Sequence, residues 1–584
     1  MSKVFKSLKA KDWCFIVICI GLIVLQVWLD LKMPDYTSNL TQAVTNGTPT
    51  MDVVWKNGGM MLLCAFGSLA AALLCGFLAA QVAANVAKTL RSKLFDRITE
   101  FSNKEIEKFG TPSLITRTTN DVVQIQMLVA MGLQVMIKAP ILAIWALCKI
   151  SATSIEWTTA TLVTVCVMVV VIGMLVAICY PKFKKIQTLT DNLNDVTREN
   201  LSGVRVVRAF NAEEYQEARF DKVNKEITKN HLVTSRAMGL MSPVMSLCMS
   251  GLTLAIYWIG AYLINAAVGI DNKVTMLGNM TAFTQYALQV VMAFMLLIMI
   301  FVMVPRSMVS AKRIGEVLKT EPSIKFKQEE VDVERKGKIE FRNVSFSYSG
   351  DTENPCIHGL NFTVEAGQTF AIIGATGTGK STLVNLIPRY YDVTDGEILL
   401  DGVNVKEYPQ GQLERTVSIA PQKAILFMGD VKSNVTYGMD GEISDDDPRI
   451  GRALKIAQAD FVNELEKGIH SEVAQGGTNF SGGQKQRLSI ARAVFKDASV
   501  VIFDDTFSAL DYKTDMLVRK ELNEQLADTT KIIVAQRIGT IKNADQILVL
   551  DDGKPAGLGK HEDLLETCPV YKEIALSQLK EEEL

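Results

Sequence analysis

Six apolar stretches, residues 13–33, 58–82, 128–150, 157–180, 243–268 and 280–304, occupy most of the first half of the chain. Each is as long as the ~20 residues that carry an α-helix across bilayer hydrocarbon, which predicts six membrane spans. Connections after the first, third and fifth spans are short, whereas residues 83–127 and 181–242 form long amphipathic, helix-forming loops. Hydrophobic residues make up 48% of the 584. That is high for a wholly soluble protein, so a membrane part joined to a soluble part is expected.

Basic residues give the spans a direction. Lys88, Arg91, Lys93 and Arg97 follow the second span, Lys182, Lys184 and Lys185 the fourth, and Arg306, Lys312 and Arg313 the sixth. The short loops hold isolated basics such as Lys56 and Lys273. By the positive-inside rule both termini and both long loops are expected to be cytoplasmic. Lys3, Lys6, Lys9 and Lys11 ahead of the first span imitate a secretory signal. With five more spans following and no small-residue cleavage site evident, the segment reads as a retained first helix. The 10 cysteines are scattered without a CxxC pair and read as small buried hydrophobes. A net charge of −2, with no basic stripe interleaved with aromatics, gives no sign of a nucleic-acid partner.

After a transmembrane domain over residues 1–318, the charged segment 319–338 reads as a linker. Residues 339–577 then alternate short β-branched runs (339–346, 369–373, 500–503, 531–534, 546–550) with helical segments. This predicts an α/β domain with a largely parallel sheet, followed by an acidic tail at 578–584.

Within that domain Gly374-Ala375-Thr376-Gly377-Thr378-Gly379-Lys380-Ser381 fits GxxxxGK[ST], directly after an apolar strand and with Thr382 continuing into a helix. Such a loop cradles phosphates with backbone N–H groups, Lys380 reaches the β/γ-phosphates and Ser381 ligates Mg²⁺. Downstream, the strand Val500–Phe503 ends in Asp504, suited to a magnesium contact through water. Between them stands Phe480-Ser481-Gly482-Gly483-Gln484, which resembles the LSGGQ signature of ABC ATPases with Phe for Leu.

Other parts of the chain resemble that family in order: Tyr348 as the adenine-stacking aromatic, Gln422 in Ala420-Pro421-Gln422 as the Q-loop, and Ser508-Ala509-Leu510-Asp511 as the D-loop. The membrane half resembles the type I (type IV) exporter fold. There the long loops end in coupling helices, matched here by Phe109–Pro112 with Arg117–Asp121, and by Asn200–Phe210. The resemblance implies a multidomain chain: an all-α six-helix transmembrane domain of ABC exporter type, then an α/β P-loop ABC ATPase domain. It implies ATP and Mg²⁺ as ligands, and a second half-transporter, because each ATP is held between the P-loop of one domain and the signature (Ser481, Gly482, Gly483, Gln484) of the other.

Two positions depart from the family pattern. Asp505 stands where the family has a Glu that polarises the attacking water, and it is shorter by one C–C bond, about 1.5 Å. Losing a positioned general base costs about 10²–10⁴ in rate. Gln536, in Ala535-Gln536-Arg537, replaces the switch histidine, and His231, His358, His470 and His561 lie elsewhere. The amide still hydrogen-bonds but does not carry a histidine's charge or proton. The combination resembles the degenerate-site subunit of bacterial heterodimeric multidrug exporters, which implies a plasma-membrane location and a homologous partner with a competent site. A slow homodimer is the plainer alternative.

Cargo is less legible. Met292, Met295, Met299 and Met303, with Phe294 and Phe301, suit either an adaptable apolar cavity wall or a face toward lipid. Asp30 and Asp35 suit attraction of cationic amphipathic molecules or a place at the interface. Efflux of amphipathic small molecules is the leading reading. A lipid or lipid-linked flippase and an ATP-sensing regulatory membrane protein are the alternatives. A leader-processing peptide exporter is disfavoured by the absence of a domain before the first span, and six spans exclude the soluble ABC ATPases of DNA repair and translation.

Overall fold

The structure, a computed structural model, describes residues 10–46, 51–151, 154–351, 353, 355–439, 441 and 443–579, with the backbone alone at 298–302 and 305. Lys3, Lys6, Lys9 and residues 580–584 lie outside the described residues, as do the side chains of Met299 and Phe301. The chain divides into two units. One comprises Met1–Ile98 with Pro112–Thr320, the other Thr99–Thr111 with Glu321–Leu584.

Among the described residues the elements of the first unit are all helices, as hydrocarbon requires, because a helix satisfies every backbone N–H and C=O within one segment. Its principal helices are Ala10–Thr45, Met51–Thr99, Asn120–Ser151, Ile155–Ser202, Met241–Ala266 and Ile270–Lys319. Among the described residues six helical stretches are long and apolar enough to cross a membrane. The 49 residues of Met51–Thr99 extend about 70 Å, more than twice the thickness of bilayer hydrocarbon, so the long loops read from sequence continue the spanning helices. The unit's core gathers Ile23, Val27, Ala146, Trp157, Met168, Ile256, Phe283 and Val290 from five of these helices. Met292 and Met295 are exposed and Phe294 is partly buried against this core. Met303 faces Leu128, Met131 and Met136 across a small apolar recess, so the methionine stripe does not form one surface.

Charged groups in the spans are matched. Asp30 receives Ser68 Oγ at 2.5 Å and Lys138 Nζ at 3.3 Å, while the Gln289 amide donates to its backbone carbonyl at 3.2 Å. Asp35 is held by Lys149 at 3.0 Å, by Lys32 at 3.5 Å and by the Tyr286 hydroxyl. The expectation of carboxylates attracting cationic cargo is corrected accordingly: each already has an ammonium group, so neither presents an uncompensated negative charge.

In the second unit a six-stranded sheet runs in the order β12-β11-β3-β10-β9-β6, comprising Lys554–Gly559, Gln546–Asp551, Thr369–Ile373, Thr530–Val534, Val500–Asp504 and Val417–Ala420. β11, β3, β10, β9 and β6 are parallel and β12 is antiparallel. β9 and β10 are buried at every residue, which is why they read as unbroken apolar runs rather than alternating ones. A second, antiparallel sheet, β2-β1-β4-β5 (Ile357–Val364, Ile339–Phe346, Asp395–Leu400, Val403–Asn404), covers the domain's other core and was not anticipated from sequence. A two-stranded ribbon pairs β7 (Gly429–Asp430) with β8 (Glu472–Val473).

Three boundaries differ from the sequence reading. Residues 321–338 are not a free linker: Gln412 exchanges hydrogen bonds of 2.8 and 2.7 Å with both backbone groups of Val331, and Arg389 stacks over Phe326 at 4.9 Å. The helix Asn103–Phe109, placed by sequence in the transmembrane domain, belongs to the second unit, where Glu107 accepts from Tyr391 at 2.9 Å and Ser102 pairs with Ser323 at 2.8 Å. Gln578 and Leu579, read as the start of the tail, pack onto the ATPase domain.

The Asp30–Lys138 pair makes a direct prediction. Lys138→Met strands the Asp30 carboxylate inside the spans and lowers stability by about 3 kcal/mol, the low end of what breaking a buried pair costs, since Ser68 still donates to Asp30. The double change Asp30→Asn with Lys138→Met recovers most of that loss, as thermal unfolding in detergent would show.

Candidate functional site

Parallel strands that are neighbours in one sheet bring the loops at their carboxyl ends together, the usual ligand edge of an α/β sheet. Here β3 leads into Gly374–Ser381, β10 into Gln536, β9 ends at Asp504 with Asp505 next, and β6 leads into Gln422. Four separate segments of sequence therefore meet along one sheet edge.

The loop after β3 turns tightly under close backbone approach. A Cβ at Gly374 would sit 2.2 Å from the Leu550 carbonyl oxygen, so only glycine fits. Gly379 has φ +91°, the left-handed region that glycine adopts without strain, and caps the helix Lys380–Leu386. Lys380 is buried, donating to the carbonyls of Gly374 at 2.9 Å and Ala375 at 2.7 Å, and Thr378 Oγ1 donates to Ala375 at 3.0 Å. Burial lowers the Lys380 ammonium from its ordinary range, opposed by the charges of Asp505 and Asp504. Thr376 and Gly377 lie exposed at the tip of the loop.

Ser381 Oγ donates to Asp504 Oδ1 at 2.9 Å. Asp504 is buried, and burial raises its carboxyl above the usual range despite the Ser381 bond, with Asp505 adding to the rise and Lys380 opposing it. A buried carboxylate and a hydroxyl side by side at a phosphate-binding loop fit a hard divalent cation, which takes oxygen ligands. Ser381 and Asp504 would hold Mg²⁺ directly or through water, with the Gln422 amide oxygen as a further acceptor. Bound there, the ion would neutralise charge on phosphate oxygens.

Asp505 is set unusually. Its backbone has φ +46° and its N–H bonds the Val534 carbonyl at 3.0 Å. Its Oδ2 accepts from the Gln422 amide at 3.2 Å and from the Gln536 amide at 2.9 Å. The two glutamines and the aspartate thus form one closed cluster joining three strand ends.

Tyr348 follows β1, and its hydroxyl lies 2.9 Å from Thr382 Oγ1, which brings the ring to the helix of the phosphate loop. The ring is half-exposed and braced edge-on by Phe346 at 4.9 Å and Tyr391 at 5.2 Å. Ser481 caps the helix Gly482–Phe495, exchanging bonds with Gln484: Ser481 N–H to Oε1 at 2.9 Å and Gln484 N–H to Oγ at 3.3 Å. Gly482 and Gly483 open that helix. Among the described residues no hydrogen bond joins Ser481–Gln484 to the phosphate loop. The signature helix instead ties to the Q-loop, through Gln486 and the Pro421 carbonyl at 3.4 Å.

Two residues at the site were not singled out from sequence. Gln578 clamps the segment after β10, accepting from the Ile538 N–H at 2.8 Å and donating to the Gln536 carbonyl at 2.7 Å. Nothing in its surroundings along the chain marks it. Tyr391, supporting Tyr348, has a weak signal in the aromatic pair Tyr390-Tyr391. Base stacking on an aromatic ring contributes about 1–3 kcal/mol. Tyr348→Ala is therefore expected to weaken binding of a fluorescent ATP analogue roughly tenfold, and Tyr348→Phe to leave it within about twofold, by equilibrium titration.

Known proteins share this arrangement. Residues 16–294 match the ABC transporter transmembrane region and residues 357–508 match the ABC transporter family model. An uncharacterized ABC transporter ATP-binding protein of Mycobacterium tuberculosis is 38% identical over 526 residues, covering 89% of this chain and 87% of that protein. One of Bacillus subtilis is 33% identical, covering 91% and 90%. An ATP-dependent lipid A-core flippase of Pseudomonas fluorescens is 32% identical, covering 83% and 79%. The structure of a bacterial Atm1-family ABC exporter with ATP bound superposes with TM-score 0.80 at 24% identity, covering 98% of this chain and all of that one, so the fold is shared. The chain belongs to the ABC transporter family, as a half-transporter with one six-helix transmembrane region and one ATPase domain on a single polypeptide.

Proposed function

We propose that this chain is one half of a heterodimeric exporter that moves amphipathic small molecules out across the bacterial plasma membrane, with its termini cytoplasmic, and that its own ATP site binds nucleotide but hydrolyses it slowly. The observation that carries the reading is the Asp505 cluster. Both donors, Gln422 at 3.2 Å and Gln536 at 2.9 Å, fall on Oδ2, which ties the carboxylate to its neighbours and leaves Oδ1 as the oxygen that can meet a water without breaking a bond. Each such bond to a charged group contributes about 1.5–3 kcal/mol. Asp505 is also short by one methylene, and Gln536 has no proton to exchange near neutral pH.

In this reading Gly374–Thr382, Tyr348, Gln422 and Asp504 grip one ATP, while Ser481–Gln484 complete the partner's competent site. The exposure of Leu201 (70%), Val206 (61%) and Phe210 (79%) on the second loop supports a further chain there, since such side chains are seldom left in water. ATP binding draws the two halves together and hydrolysis at the partner's site resets them, a rigid-body switch between two cavity orientations. The likeness to a lipid A-core flippase favours a second reading, in which the cargo is a lipid-linked molecule.

The test is turnover by the assembled pair in liposomes. Replacing the partner's catalytic Glu with Gln is expected to lower ATPase activity and transport by about 10²–10⁴, whereas Asp505→Asn changes them by less than about twofold. The reverse ranking, or brisk transport by this chain alone, would refute the division of labour. Asp505→Glu combined with Gln536→His is expected to raise hydrolysis at this chain's own site, measured with the partner's site disabled, and Asp505→Glu alone to raise it less.

A further inference from the structure

Where the helices Ile155–Ser202 and Glu213–Gly239 pack together they form an open cavity of about 340 Å³, lined by Lys182, Lys185, Lys229, Glu226, Asn230 and Val233. Its lining carries three ammonium groups and one carboxylate. Among the described residues none of the three lysines forms an ion pair, not even with Glu226 in the same lining, while Glu199 and Asp221 on these helices pair with Arg219 at 2.9 Å and with Lys225. The three line one concavity from two helices, Lys182 partly buried and Lys185 and Lys229 exposed to what enters it.

The depth of the cavity says what source of negative charge it meets. Lys182 lies 27 residues along a continuous helix from Ile155, about 40 Å at 1.5 Å per residue. A bilayer with its headgroups spans about 40–45 Å, so a helix entering near Ile155 delivers Lys182 to the headgroup layer of the opposite face. Tyr180 (73% exposed) and Phe183 (42% exposed) flank it, the aromatic character of a membrane–water interface.

We propose that this cavity is a binding site for the phosphate headgroup of an anionic phospholipid, held by Lys182 and Lys185 just past the fourth span, with Lys229 joining them from the helix Glu213–Gly239 that leads into the fifth. The site uses the membrane-spanning helices only, and stands or falls independently of how Asp505 behaves. Because Glu213–Gly239 and Ile155–Ser202 both continue into spanning helices, a bound headgroup bridges two elements that must move when the transporter changes shape, and membrane composition then biases that change.

The test uses the full chain with its native partner in detergent micelles and in phosphatidylcholine nanodiscs, titrated with spin-labelled phosphatidylglycerol. The motionally restricted fraction reports preference over spin-labelled phosphatidylcholine. A lysine near an anionic headgroup is worth about a fivefold change in binding, so each single change Lys182→Gln, Lys185→Gln or Lys229→Gln is expected to lower the preference about fivefold and the triple change about a hundredfold. The triple Lys→Arg variant, which keeps charge and fold, is expected to retain it. Lys184→Gln, outside the cavity lining, is expected to have little effect. Equal preference in the triple Gln variant overturns the proposal, as does an effect of Lys184→Gln as large as the others, which would mean diffuse surface charge. Displacement of the lipid by millimolar inorganic phosphate also overturns it, in favour of a soluble anion.

Discussion

Burial of β9 and β10 on both faces is the constraint on which the nucleotide site depends. Val500–Phe503 and Thr530–Val534 have almost no exposed surface, and each pairs residue for residue with a parallel neighbour. At about 25 cal/mol per Å² of apolar surface removed from water, slipping one strand by a residue would turn a whole row of side chains. The register is thereby held, and with it the positions of Asp504, Asp505, Gln422 and Gln536, which stand just past the ends of those strands. The geometry of the candidate site is a by-product of core packing. The loops have little choice of where to be, only of which side chains to present.

The membrane half meets a different constraint with the same logic. In hydrocarbon the cost of an unmatched polar group exceeds most packing terms, so helices satisfy their own backbones and the few ionised side chains appear in pairs across helices. Asp30 with Lys138 and Asp35 with Lys149 tie the first span to the third, and Tyr286 and Gln289 bring in the sixth. These bonds are directional, unlike apolar contacts among helices that lipid solvates equally well. They specify which helix lies beside which, a role apolar side chains fill poorly in a lipid solvent.

Much of this was readable in the chain. The six spans, the parallel sheet and the phosphate loop announce themselves, because each rests on a local rule: apolar length, unbroken β-branched runs, glycines ahead of a lysine. What escaped rests on contacts distant in sequence. The antiparallel sheet β2-β1-β4-β5 alternates buried and exposed positions irregularly, with register shifts in both pairings of β1, so no clean period of two survives to be read. Gln412 clasping Val331, Gln578 clasping the segment after β10, and Glu107 meeting Tyr391 each join residues 40 to 284 positions apart. Lys138 and Lys149, which meet Asp30 and Asp35 from the third span, lie more than 100 residues away, and of the lysine partners Lys32 alone is local, which is why the carboxylates looked available for cargo.

The two departures from the family pattern are better understood together than singly. With φ +46° and a short side chain, Asp505 keeps its carboxylate close to its own strand end, within reach of amides arriving from both neighbours, Gln422 beyond β6 and Gln536 beyond β10. A neutral histidine at 536 would offer one donor and one acceptor nitrogen, whereas glutamine offers two donors and an acceptor on a longer stem. Aspartate and glutamine are thus matched in length and hydrogen-bonding capacity. The cluster joins the ends of three strands into one polar knot, and what such a knot does best is to hold still. A site that grips nucleotide and keeps two domains closed needs that rigidity more than it needs a free base, whereas a site that turns over rapidly needs a carboxylate with room to meet water.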